Sequence, residues 1–139
     1  MYLIDTCVIS ETRKKSKAHP GVQRFFAHVD EDEIPVYLSV VTVSELRRGV
    51  EIIRHRKDLS QAELLENWLQ KTLKDYEDNI LEFDAETAQM WGRLRVPRHE
   101  NALDKQIAAT ALLHDLTVVT RNRDHFAGTS VKILKTGRG

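Results

Sequence analysis

The strongest constraint on this chain's fold is a regular alternation of two hydrophobic periods. Short apolar runs at Tyr2-Leu3-Ile4, Val36-Tyr37-Leu38-Ser39, Ile80-Leu81-Glu82-Phe83 and Thr117-Val118-Val119-Thr120 are separated by stretches with helical spacing. A short helix is predicted from Cys7 to Ser10. Pro20 suits a first helical turn, and after it Val22, Phe25, Phe26 and Val29 recur at the i, i+3, i+4, i+7 spacing of an amphipathic helix. Val41 to Arg56 reads as a helix with a basic second half. Ser60-Gln61-Ala62-Glu63 reads as a capping box that opens the next helix, and Asp84 as the cap of a helix carrying Ala88, Trp91 and Leu94. A further helix is expected from Asp104 to His114, and a last, edge strand from Val131 to Leu134. Strands alternating with helices predict an α/β fold, a three-layer α/β/α sandwich around a mainly parallel sheet of about four to five strands. The length, 139 residues, suits a single domain over 1–139.

Composition removes several classes of protein. One cysteine, Cys7, leaves no internal disulfide and points to a reducing compartment. No run approaches the ~18 apolar residues of a membrane span, and Met1 to Asp5 lacks the basic and apolar regions of a signal peptide. A soluble, cytoplasmic protein without a membrane partner is expected. Lys and Arg total 21, as do Asp and Glu, for a net charge of +0, so nucleic-acid binding by bulk charge is not indicated. The charges are segregated, however: Arg13, Lys14, Lys15 and Lys17 cluster, as do Arg47, Arg48, Arg54, Arg56 and Lys57, and Arg121 stands near Arg123. Such faces either hold a polyanion locally or are ordinary solvated helix surfaces.

The acidic residues become informative on this frame. Right-handed crossovers place the strand C-termini along one sheet edge, where open α/β sheets bind ligands. Asp5 ends the first strand, Glu45 lies early in the helix after the second, and Asn122 follows the fourth. Asp104 joins them if the loop before its helix returns to that edge, as a helix leading into a parallel strand requires. Carboxylates held close together repel, and one is driven to a higher pKa unless a cation intervenes. An oxygen-only set without a His or Cys cluster suits Mg²⁺ or Mn²⁺ rather than zinc, and such an ion serves phosphodiester hydrolysis.

Each residue also has an ordinary structural explanation. Asp5 and Asn122 suit turns. Glu45 closes a Thr42-Val43-Ser44-Glu45 capping box. Asp104 complements a helix dipole, and Asp124 is a solvated loop acid. Their shared location is what favours a site. The histidines, at His19, His28, His55, His99, His114 and His125, show no metal-binding spacing and read as surface or loop residues. Cys7 reads as a small buried hydrophobe.

The segments Leu3-Ile4-Asp5-Thr6-Cys7-Val8-Ile9-Ser10, Leu38 to Leu46, Asp104-Lys105-Gln106-Ile107-Ala108-Ala109-Thr110-Ala111 and Val119-Thr120-Arg121-Asn122, in this order, resemble a PIN domain. More narrowly they resemble the VapC-type toxins, FitB-like branch included, of bacterial type II toxin–antitoxin modules. The resemblance covers essentially the whole chain. It implies a Mg²⁺- or Mn²⁺-dependent endoribonuclease that hydrolyses RNA phosphodiesters with metal-activated water. Asp5, Glu45 and Asp104 would be catalytic and metal-binding, with Asp5 and Asp104 holding one ion. Thr6, Asn122 and Asp124 would support them. Where relatives often carry an acid three residues after the Asn122 position, this chain has His125, so a second ion is expected to be weak. Arg13, Lys14, Arg47, Arg48 and Arg121 would track the RNA backbone, and single-stranded loops are the expected target. The resemblance further implies a small cognate antitoxin whose tail blocks the acidic site, a homodimer, and a higher-order assembly with the antitoxin.

Other readings fit less well. A haloacid-dehalogenase-type phosphatase expects a second acid two residues after Asp5, where Cys7 stands. A phosphoacceptor receiver could use Asp84 but wants an acidic pair on the first strand. A catalytically inactive PIN-like module that binds RNA or protein is the main alternative, and the retained acidic trio argues against it.

Overall fold

The structure, a computed structural model, describes residues 1–136; the last three residues of the expected 1–139 domain lie outside the described residues. Five strands form one parallel sheet: β1 (Tyr2–Ile4), β2 (Val36–Ser39), β3 (Ile80–Leu81), β4 (Thr117–Thr120) and β5 (Ile133–Lys135), in the order β3-β2-β1-β4-β5. The helices among the described residues are α1 (Thr6–Glu11), α2 (Pro20–Glu31), α3 (Val40–His55), α4 (Leu59–Asp75), α5 (Ala85–Leu94) and α6 (Ala102–Leu113).

The three layers follow from the pleat, because successive strand residues point to opposite faces. Ile4, Leu38 and Val119 turn to one face and pack with Val8 of α1, Val22, Phe25 and Val29 of α2, Leu46 and Val50 of α3, and Leu69 of α4. Their neighbours Leu3 and Val118 turn to the other and meet Ile107, Ala108 and Ala111 of α6 with Leu116 and Phe126. Leu3, Ile4, Val118 and Val119 are all 0% exposed. That is why β1 and β4 read as continuous apolar runs rather than alternating ones.

Element boundaries differ from expectation at α4, α3, α6, β3 and β5. α4 begins at Leu59, not at a Ser60 capping box: Asp58 accepts from the Gln61 N–H at 3.3 Å and is the N-cap. α3 begins at Val40 under Ser39, whose side chain accepts from Val41 N–H at 3.0 Å. Glu45 is therefore in the second turn and caps nothing. α6 starts at Ala102, which places Asp104 inside its first turn. β3 stops at Leu81 and β5 is shifted to Ile133–Lys135. The polar stretch after α1 is a 3₁₀ segment, Thr12–Lys17. Asp84 caps α5 as expected, accepting from Thr87 N–H at 2.9 Å. No helix of the described residues is long and apolar enough to cross a membrane.

Candidate active site

The C-terminal ends of β1 and β4, the second turn of α3 and the first turn of α6 meet at one edge of the sheet. They enclose a cleft of about 540 Å³ lined by Asp5, Thr6, Cys7, Ser10, Glu45, Asp104, Arg121, Asn122 and His125. Asp5, Glu45 and Asp104 come from segments far apart in sequence, and the parallel topology is what gathers them.

Asp5 is the fixed point of the cleft. It is 4% exposed. Its Oδ1 accepts from the Thr6 N–H at 2.8 Å and its Oδ2 from the Thr120 hydroxyl at 2.7 Å. The Cys7 thiol lies 3.4 Å from the same Oδ2. Such bonds hold the carboxylate in one rotamer. Glu45 is tied to the same strand end, because its Oε1 accepts from the Thr6 hydroxyl at 2.8 Å. Thr6 thus links two of the acids. Burial first, then the charge of Asp5 and lastly that of Glu45, push the Asp104 carboxyl up to about 6, with His125 pulling the other way. That upward shift is the electrostatic sign of carboxylates crowded into one low-dielectric space. Asp104 and Asp5 feel one another, yet among the described residues no three His, Cys, Asp or Glu side chains are arranged to hold one ion directly. The Thr6 hydroxyl ties Glu45 to the β1 end.

The other expected residues divide. Asn122 and Arg121 line the cleft, and Arg121 is braced by Glu11 at 3.4 Å. Asp124 does not: the 3₁₀ turn Arg123–Phe126 carries it into a neighbouring cleft with Pro97 and Lys105. Arg13 lines an adjoining apolar groove that shares Thr6 and Glu45 with the site. Lys14 pairs with Glu11 at 2.8 Å. Arg47 is not free for phosphate; it makes a fork to Glu66 at 2.7 and 2.8 Å and reaches Glu51 at 3.0 Å, which pushes its pKa up further. Arg48 is exposed on α3.

Three residues gained importance only in the structure. His125 reaches the site, with Nδ1 3.5 Å from Asp104 Oδ2 and Nε2 2.9 Å from Asn122 Nδ2. Thr120 holds Asp5. Glu11, 6% exposed, gathers Lys14, Arg121 and the His19 N–H. An acid buried at a helix end leaves no mark in spacing or composition, so nothing in the sequence singled out Glu11. For His125, the closeness to Asn122 in the loop after β4 was the available signal.

Comparison with known proteins agrees with this geometry. A family profile described as PIN domain matches residues 2–131. Toxin FitB of Neisseria gonorrhoeae is 36% identical over 139 residues, spanning 96% of each chain. VapC ribonuclease Y4jK of Sinorhizobium fredii is 30% identical over 141 residues, again spanning 96% of each. Among solved structures, FitAcB from Neisseria gonorrhoeae superposes with a TM-score of 0.81 at 31% identity over 98% of both chains. The structure of FitAB bound to an IR36 DNA fragment gives 0.81 at 28% identity, over 98% of this chain and 95% of that one. A parallel sheet that delivers Asp5, Glu45 and Asp104 to one cleft, in a chain matched along nearly its whole length, places this protein in the PIN-domain family.

Proposed function

We propose that this chain is the toxin of a type II toxin–antitoxin pair and a Mg²⁺- or Mn²⁺-dependent endoribonuclease. The observation that carries the reading is the shared cleft of Asp5, Glu45 and Asp104, with Asp104 raised by burial and by the two other acids. The names of relatives, a toxin and a VapC ribonuclease, support it.

The donor set fits a hard divalent cation. It is built from carboxylates, the Thr6 hydroxyl and the Asn122 amide. Mg²⁺ retains several waters and takes only one or two protein carboxylates. Asp5 and Asp104 would hold it, with Glu45 acting through water. When bound, the ion supplies charge neutralisation at a phosphoryl oxygen and a lowered pKa for water.

The remaining steps belong to the chain's own groups. Thr6 and Thr120 keep the Asp5 carboxylate from turning. Glu45 Oε1 is taken by Thr6, which leaves Oε2 to accept a proton from the attacking water. Asn122 and Arg121 donate to phosphate oxygens. Glu11 keeps Arg121 extended toward the cleft.

A small cognate antitoxin is the expected partner. The neighbours FitAcB and FitAB, and a DNA-bound VapBC from Salmonella typhimurium, support this by their descriptions. A homodimer, a single domain over 1–139 and a cytoplasmic location complete the proposal. Incubation of the purified chain with single-stranded RNA tests it. Cleavage is expected with Mg²⁺ or Mn²⁺ and none with EDTA; RNA binding without cleavage under every condition would favour the inactive-module alternative.

A further inference from the structure

A second cleft, of about 460 Å³, is lined by residues next in sequence to those of the acidic one. Lys105, which lines it, directly follows Asp104; Asp124, which also lines it, directly precedes His125. Asp104 and His125 pair at 3.5 Å, so the first turn of α6 and the 3₁₀ turn after β4 each send one side chain to the acidic cleft and the next to the second. The volume lies within the range of ligand pockets. Val96 and Pro97 supply apolar lining, and Arg98 and Glu100 supply charge.

Lys105 is the unusual member. It is 5% exposed, and its Nζ donates to the Arg98 carbonyl at 2.6 Å. No carboxylate of the described residues pairs with it. An ammonium has three donors, and a lysine head normally reaches solvent, because burial without acceptors is costly. Here the side-chain nitrogen lines a cleft, with donors beyond the one that the Arg98 carbonyl takes. Asp124 contributes the opposite chemistry, a carboxylate that only accepts.

A donor and an acceptor in a partly apolar slot are the elements that read a nucleobase edge. Guanine alone offers paired acceptors, O6 and N7, to an ammonium and paired donors, N1–H and N2–H, to a carboxylate. Adenine presents its N6 amine where guanine has O6, which sets donor against donor at Lys105. We propose that this cleft is a nucleobase subsite that takes an unpaired guanine beside the phosphate handled by Asp5 and Asp104. The proposal rests on the ribonuclease reading for its substrate.

The test digests a random-sequence single-stranded RNA pool with the full chain and Mn²⁺ and maps the ends by sequencing. Wild type is expected to enrich guanine at one fixed position beside the cut, by about ten-fold over adenine, the discrimination of one good edge contact. Lys105→Met is expected to reduce that enrichment to less than about two-fold, and Asp124→Asn to weaken it. Asp124 is exposed, so its variant remains informative if Lys105→Met fails to fold. Cleavage by wild type with no base enrichment, or a folded Lys105→Met that retains the full guanine preference, would overturn the inference while leaving the nuclease reading intact. If wild type does not cut at all, the nuclease reading fails first. Amide shifts at residues 96–105 on titration with guanosine monophosphate, against adenosine, cytidine and uridine monophosphates, then decide the subsite. Selective shifts with the guanine nucleotide support it, and equal or absent shifts reject it.

Discussion

His125 Nδ1 lies 3.5 Å from Asp104 Oδ2, so the first turn of α6 and the 3₁₀ turn after β4 meet through an imidazole–carboxylate contact at the acidic cleft. The pair offsets only part of the repulsion that Asp104 suffers from Asp5 and Glu45. Replacing the charge while keeping the shape therefore relieves the fold. In EDTA at neutral pH, Asp104→Asn is expected to raise stability by roughly 1 kcal/mol, read as a higher Tm in thermal unfolding. A lower Tm would mean that the His125 contact outweighs the repulsion.

Glu11 predicts the reverse behaviour. Its carboxyl is held below the usual range chiefly by the Lys14 hydrogen bond, helped by the His19 N–H and Arg121 and opposed by burial. The folded value is below the unfolded one, so the unfolded chain binds more protons in that window. The stabilisation is complete above about pH 4.5, the ordinary value, and is lost as pH falls through the folded value. Glu11→Ala should cost roughly 1–3 kcal/mol at pH 7, with the gap to wild type narrowing below pH 4.5. Urea unfolding at pH 7 and at acid pH measures both. The same variant should raise KM for RNA more than it lowers kcat, because Arg121 loses its brace.

Cys7 is expected to be unreactive in spite of its place in the cleft. Burial, followed by the Asp5 charge, pushes its thiol up to about 11. The thiolate is the reactive form, so alkylation at pH 7.5 should run on the order of a hundred-fold slower than for a free thiol. Timed iodoacetamide labelling of native and urea-unfolded chain checks this. Equal rates would contradict the buried environment.

The layered sheet was legible because β1 and β4 are buried on both faces, and unbroken apolar runs between amphipathic helices leave few other folds open. Asp5, Glu45 and Asp104 were legible for the same topological reason, since each sits where a strand ends or a helix begins. Side-chain commitments across elements were not. Arg47 reads as a free cation until α4 brings Glu66 beside it. Asp124 and His125 differ by one position, yet the 3₁₀ turn sends them into separate clefts. Ser60 reads as the cap of α4, and the structure uses Asp58 instead, whose carboxylate reaches Gln61. The end of β3 is a matter of partners: Ile80 and Leu81 pair with β2 at the sheet edge, and Glu82-Phe83 continue without a ladder.

RNA cleavage by wild type beside Asp5→Asn and Asp104→Asn, with Mn²⁺ and with EDTA, is the decisive comparison. Circular dichroism on each protein establishes that the fold is kept. Metal-dependent cutting by wild type, reduced at least about a hundred-fold in both variants, is the expected result. Equal activity in the three folded proteins would contradict a nuclease centre built on Asp5 and Asp104.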